Sequence, residues 1–419
     1  MISYRKLAMR VLGHSPVSAP KTARRRSTAK RAAALALTAA LVVGMTLPAF
    51  ADTWFIEDGN ISISAGESGN HVEQGDKKQD ETTETIITNR ESTASSNSVT
   101  IEAGAGKTVN VTLNNVNIDT SETWKAAVSV IGKGNTNIEL NGNNTLTSGD
   151  GYAGLEHNKK TDSEGKETSG TLTITDDKGD AGKLTATGGN QSAGIGGGSG
   201  NDGQVTITGG EITANGGKYG AGIGGGDVGN GTVTITDGDI TATGGLWGAG
   251  IGGGVRRLGN VSIEGNVTIK NAQGGAGAAG IGGGARAEPD TEDTRNKVSI
   301  KSTEAGSPNI TATGGGAYKD SYVSLPCAAA IGSGSVADGA TEVKSDITVE
   351  GKVTIDATGG GDVAIGDSTG ETRFSGLQVG TTITRRNAKG DDVSQPGDVV
   401  REQAPTETEA AEAPSTGSV

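Results

Sequence analysis

Tyr219 and Trp247 stand 28 residues apart, each two positions ahead of the same run, Ala-Gly-Ile-Gly-Gly-Gly. Flat rings at equivalent positions beside a strip without side chains suit a sugar ring. Sugars stack on aromatic faces and take hydrogen bonds from exposed backbone. The competing reading is a pair of rings that stack on each other to stabilise a corner. Tyr318 and Tyr322 lie in the corresponding connection further on and would extend the row. A second chemistry is available at Glu211 and Asp239, also 28 apart, with Asp237 close by. Like charges on neighbouring strands repel unless screened or bridged, and Ca²⁺ takes such carboxylates together with turn carbonyls. These three residues are the candidate metal ligands, against the alternative of a solvated acidic face.

Catalytic constellations are poorly represented. Beyond the leader described below, the chain has two histidines, His71 and His157, both in polar, loop-like contexts. There is no His-x-x-x-His pair. Asp176-Asp177 are adjacent, so they face opposite sides of an extended strand and do not set the fixed carboxylate separation of a glycosidase. Arg256 or Arg257 could serve a lyase as a base, but no acidic cluster accompanies them. The expectation is a protein that binds and does not transform. Cys327, the single cysteine, sits in an apolar run and is expected as a small buried filler.

These positions matter because they belong to a repeat. Val205-Thr206-Ile207 recurs as Val233-Thr234-Ile235 and Val261-Ser262-Ile263; Ile212-Thr213-Ala214 recurs as Ile240-Thr241-Ala242; the Ala221–Gly226 run recurs at Ala249–Gly254 and Ala279–Gly284. Each unit holds three short alternating stretches separated by Gly, Asn or Asp, which predicts three strands and three turns. Weaker copies extend the series to eight rungs, with first strands from Val111 to Ile347 and third strands from Val128 to Ile365. A fixed period with strands this short predicts an all-β, right-handed parallel β-helix, the hand following the rule for parallel crossovers. The 72 glycines and 3% aromatic content fit such a solenoid, which can be built from Val, Ile, Ala and Gly. Val205 and Ile207 should point inward and Thr206 outward. The third strands should expose a floor of bare glycine. Columns such as Thr185, Thr213 and Thr241 look like flat ice-binding arrays, although Thr is an ordinary outward strand residue. Three insertions, at 156–170, 285–297 and 335–345, fall at one corner, between a third strand and the next first strand.

The flanks are different in kind. Residues 1–51 carry a basic stretch (Lys21–Arg31), an apolar run and the small-residue site Ala49-Phe50-Ala51, which together predict an exported chain with no membrane span once the signal is removed. Taking the leader's nine basic residues from the 36 leaves 27 against 49 acidic ones, a net charge of −22. That argues against nucleic acid as partner. Residues 52–97 are expected to cap the helix and add a polar segment, 98–384 to form the repeat domain, and 385–419 to be a disordered acidic tail.

The runs VTLNNVNI (Val111–Ile118) with AAVSV (Ala126–Val130), and IELNGNNTL (Ile138–Leu146) with GYAGL (Gly151–Leu155), resemble the secreted carbohydrate-binding β-helix domains of Gram-positive bacteria. The resemblance covers about Val99 to Asp367. It implies a secreted or cell-surface module of pectate-lyase-like shape that binds a polysaccharide or other glycan, with Ca²⁺ in some members. A stalk or adhesin with a protein partner, and a Ca²⁺-dependent lyase, are the alternative readings. Ala413-Pro414-Ser415-Thr416-Gly417 resembles a sortase signal, with Ala413 where that pattern has Leu, and points to cell-wall association.

Overall fold

The structure is a computed structural model that describes residues 53–398, apart from 68, 81–83, 179–180, 289–294, 337–342, 367–373, 375 and 396–397. The export signal, the sortase-like run and the centres of two insertions lie outside the described residues.

The described chain coils as a parallel β-helix with three strand faces. All eight expected rungs are present. Along the third face Val128, Leu155, Ile195, Ile223, Ile251, Ile281, Ile331 and Ile365 are direct register partners from rung to rung. Two further rungs precede them. Thr53–Phe55 pairs in parallel with Thr85–Thr88, and Ile61–Ser64 pairs in parallel with Val99–Glu102. The segment expected as a separate cap is therefore the first coil of the helix. The capping is done by antiparallel strands Asn70–Gln74 and Lys77–Asp80, added to the edge of Ile61–Ala65. Ten rungs at ~4.8 Å each give a stack roughly 45 Å long.

Alternation decides what is buried. Val205, Ile207, Ile212, Ala214 and Ile223 of one rung are each at most 1% exposed, and the outward Thr206 and Thr213 are partly exposed. Each fully buried Val or Ile contributes roughly 1.5–3 kcal/mol. Because the inward positions repeat in register, one continuous core runs from Trp54 to Ile383. The two longest strands, Gly231–Thr243 and Gly259–Gln273, turn the corner from first to second face without a break. An extra residue between Ile269 and Ala272 shifts the register there and interrupts the threonine column after Thr241.

The third face narrows along the stack. Its strands have five residues in the first three rungs (61–65, 99–103 and 128–132), three at Leu155–His157, and two from Ile195–Gly196 onward. The second residue of each two-residue strand is a glycine with φ between +128° and +135°: Gly196, Gly224, Gly252, Gly282, Gly332 and Gly366. A Cβ on any of the first five would sit 2.0–2.1 Å from the carbonyl oxygen of the glycine one rung on. Only glycine permits both this dihedral and this approach.

At the C-terminal end the tail begins later than residue 385. Thr382–Arg386 is a strand on the second face. Arg385 lies inside the structure, bound to Asp398 at 2.9 Å, with side chains only 6% and 2% exposed. A buried ion pair of this kind ties the chain to the last rung.

Two stability measurements test these assignments. Gly252→Ala should destabilise the fold by about 3 kcal/mol or more, from strain plus overpacking, while Gly316→Ala, which meets nothing within 4 Å, should stay within about 0.5 kcal/mol. Denaturant unfolding checks both. Asp398→Ala strands the buried guanidinium and should cost about 3–5 kcal/mol locally. Hydrogen exchange should then accelerate at 382–386 and stay unchanged in the middle rungs.

Candidate functional site

The glycine floor expected on the third face is present but covered. Gly222, Gly224, Gly225 and Gly226 are all buried, and so are their counterparts one rung on. A repeated bond explains this. Four residues after each third-strand isoleucine, a backbone N–H donates to the carbonyl of the residue four positions before the corresponding strand of the preceding rung. The pairs are Ser199 to Gly151, Asp227 to Gln191, Val255 to Tyr219, Ala285 to Trp247 and Ser335 to Gly277, at 2.6–2.9 Å. The segment leaving each third strand thus folds over it as a roof. The glycines serve close backbone packing, and a ligand has no bare strip to rest on.

The aromatic row does form. Tyr219 and Trp247 occupy the same position on consecutive rungs, with ring centroids 5.2 Å apart and planes tilted by 33°. Tyr318 meets Trp247 edge-on, at 5.6 Å and 81°. It reaches across the intervening rung, where Gly277 fills the equivalent position and Leu325 of the same excursion packs beside it. The Tyr318 hydroxyl donates to Asp320 at 3.0 Å, and Lys218 Nζ stands 5.1 Å from the Tyr219 ring centre. All three rings are partly exposed. Trp247 also packs on the small cluster of Ala278, Ala285 and Leu325, and its indole N–H is buried without a partner. The row therefore combines corner packing with an outward aromatic surface. Tyr322 is 95% exposed and does not join it.

The acidic residues align as the spacing requires, with Glu211 and Asp239 as register partners. Lysines already bridge them. Lys270 lies 3.4 Å from Glu211 and 3.2 Å from Asp239, and Lys183 lies 3.0 Å from Glu211. Hydrogen bonds first from Lys183 and then from Lys270 hold the Glu211 carboxyl below its usual range. Asp237 stands at the same corner and accepts a 3.1 Å bond from Asn266. Among the described residues no group of three or more His, Cys, Asp or Glu is placed to hold a metal ion. The repulsion that motivated a Ca²⁺ ion is relieved by ammonium groups.

Other positions differ from expectation. Cys327 is exposed. It stands four residues before Ile331, at the outward corner station that Tyr219 and Trp247 occupy in their own rungs, so the inward alternation does not reach it. His157 is buried and sits 2.9 Å from the Gly170 carbonyl and 3.3 Å from that of Val130, pinning the first insertion. Arg256 adopts φ +66° in a corner turn, and Arg257 Nε donates to the Val228 carbonyl.

Sequence reasoning missed Trp124, which stands four residues before Val128 and so at the same repeat position as Tyr219 and Trp247. It is 77% exposed. The signal was available by counting back from Ala126–Val130. Trp124 and Tyr152 border an open groove with Ser62, Thr100 and Ser129 on its floor. One rung beyond Ser129, its register partner is Glu156. That carboxylate is buried, and it accepts from the Ala153 N–H at 3.2 Å and the Asn158 amide at 3.1 Å. Burial raises its pKa, with these two bonds and Lys160 opposing.

Comparison with known proteins agrees with the coil. The family described as Beta helix repeat matches residues 180–199, 205–227 and 233–255. These are the central, roofed rungs. No curated protein and no solved structure matches the chain. No helix among the described residues is long and apolar enough to cross a membrane.

Glu156 supplies a pH test. Because folding raises its pKa, the folded chain binds this proton more tightly than the unfolded chain does. The associated stability is full below the ordinary glutamate value of 4.5 and is lost as pH rises through the raised value. Glu156→Gln should flatten that decline in a series of thermal melts. An unchanged slope would show that Glu156 does not titrate as described.

Proposed function

We propose that this β-helix is a secreted or surface-displayed module that binds carbohydrate without transforming it. One observation carries the reading: Tyr219 and Trp247 present partly exposed rings, 5.2 Å apart, at the same corner of consecutive rungs. Two stacked platforms one rung apart offer a sugar chain two successive apolar faces, and Lys218 and the corner backbone supply polar contacts beside them. Tyr318 extends the surface by one ring and buttresses Trp247 from the side. The strongly acidic composition disfavours nucleic acid. A rigid coil also suits display, since the platforms are held by strand register and need little ordering on binding.

The test is a glycan array with insoluble-polysaccharide pull-down on residues 52–419, comparing wild type with Trp247→Ala and Tyr219→Ala. Wild type should be retained. Each variant should bind about tenfold more weakly, roughly one aromatic contact, with its far-ultraviolet spectrum unchanged. If wild type is retained by no polysaccharide, with or without Ca²⁺, the proposal fails and a stalk with a protein partner takes its place.

A further inference from the structure

The repeated roof bond is missing where the third face is widest. Lys159, which would donate to the Trp124 carbonyl if the pattern held, donates instead to the carbonyl of Asp202. The first three rungs keep five-residue third strands, and their outward positions carry side chains in place of glycine. Ser62, Thr100 and Ser129 are register partners on consecutive rungs, so three hydroxyls line up along the helix axis at ~4.8 Å intervals. Ser62 is exposed, and Thr100 and Ser129 are partly so. Asn60, Ser98, Trp124 and Tyr152 also line this groove, around about 490 Å³ of open space. That volume falls within the range of small-ligand clefts, about 300–1,000 Å³.

The chemistry of the lining selects the ligand. Hydroxyls and an amide offer both donors and acceptors, whereas an anion would call for a concentration of donors. Among the described residues lining the groove, Lys125 is the only charged one. An indole 77% exposed at its rim gives up burial that a large aromatic normally gains. We infer that the groove over Ser62, Thr100 and Ser129 is a binding site for a neutral oligosaccharide, with one pyranose ring stacked on Trp124 and its hydroxyls on the serine and threonine floor. Beyond Ser129 the same ladder continues into the buried Glu156, which does not line the groove. This site rests on the carbohydrate reading but is separate from the Tyr219–Trp247 row, since Gly151 and Gln191 hold the equivalent position on the two rungs between them.

Tryptophan fluorescence can read this groove alone. Trp54 is buried at 1% exposure, so in a Trp247→Phe background Trp124 is the quenchable indole of the described chain. Titrations of the whole chain would use cellohexaose, laminarihexaose and mannohexaose, with hexagalacturonate as the anionic comparison. At least one neutral hexasaccharide should lower acrylamide quenching of Trp124 by twofold or more. Its affinity should fall at least tenfold in Trp124→Ala, measured by calorimetry, and in Ser129→Tyr, which fills the floor. Thermal melts would show that both variants are folded. The inference is overturned if no neutral sugar protects Trp124, if only hexagalacturonate does, or if binding survives both substitutions. Loss of sugar binding in Trp247→Ala with none in Trp124→Ala overturns this groove and leaves the carbohydrate reading standing. The reverse pattern upholds the groove and moves the site away from the row, and no binding by the wild type overturns both.

Discussion

The contact on which the rest of the helix depends is the close approach of one glycine to the next along the third face. From Gly196 onward, each ladder glycine sits at φ near +130°, with its Cα almost against the carbonyl of the glycine one rung later. The residue following it donates to that same carbonyl, as Gly225 does to Gly252 at 2.9 Å. A side chain at any of these positions would push neighbouring rungs apart, and the strands of the other two faces would lose their register with them. The high glycine content is therefore concentrated where the backbone must touch backbone.

This one approach shapes the surface as well as the core. A two-residue strand turns sharply, so the segment leaving it is close enough to bond back over the preceding connection. That bond roofs the glycines and holds the corner position of the preceding rung outward, where Tyr219 and Trp247 stand. Where the ladder position is Ser, Thr or Glu, the third strand is longer, and in the first three rungs the roof is absent and the floor lies open. The solenoid thus has two surface types on one face, set by whether a single position carries a side chain. The ends obey a different requirement, the covering of unpaired strand edges. The antiparallel hairpin at Asn70–Asp80 does this at one end, and the Arg385–Asp398 pair holds the chain across the other.

Much of the coil could be read from spacing. The eight ladder residues from Val128 to Ile365 were identifiable because like residues recur at like positions, and parallel stacking turns recurrence into contact. The first two rungs were harder to see. Their third strands, ISISA and VTIEA, lack the Ala-Gly-Ile-Gly signature, and a hairpin separates the first from the second. The aromatic neighbours Tyr219 and Trp247 followed from the same count, and Trp124 would have followed had the count been carried to Val128. Tyr318 is different, since it stands outside the repeat position and meets Trp247 only through its own excursion.

The sequence by itself determined the period, the inward and outward positions, the strand order and the pairing of residues 28 apart. These are local or strictly repeated properties, and alternation and register translate them directly into space. Only the tertiary structure decided which outward positions are open. The roof over the glycines joins residues from successive rungs through main-chain atoms, which carry no residue identity. Of the lysines that neutralise Glu211 and Asp239, Lys183 stands one 28-residue period before Glu211, but Lys270, which bridges the two acids, lies off that interval. Exposure of Cys327 and burial of Glu156 likewise depend on how neighbouring loops fold over a strand, a three-dimensional outcome that periodicity does not encode.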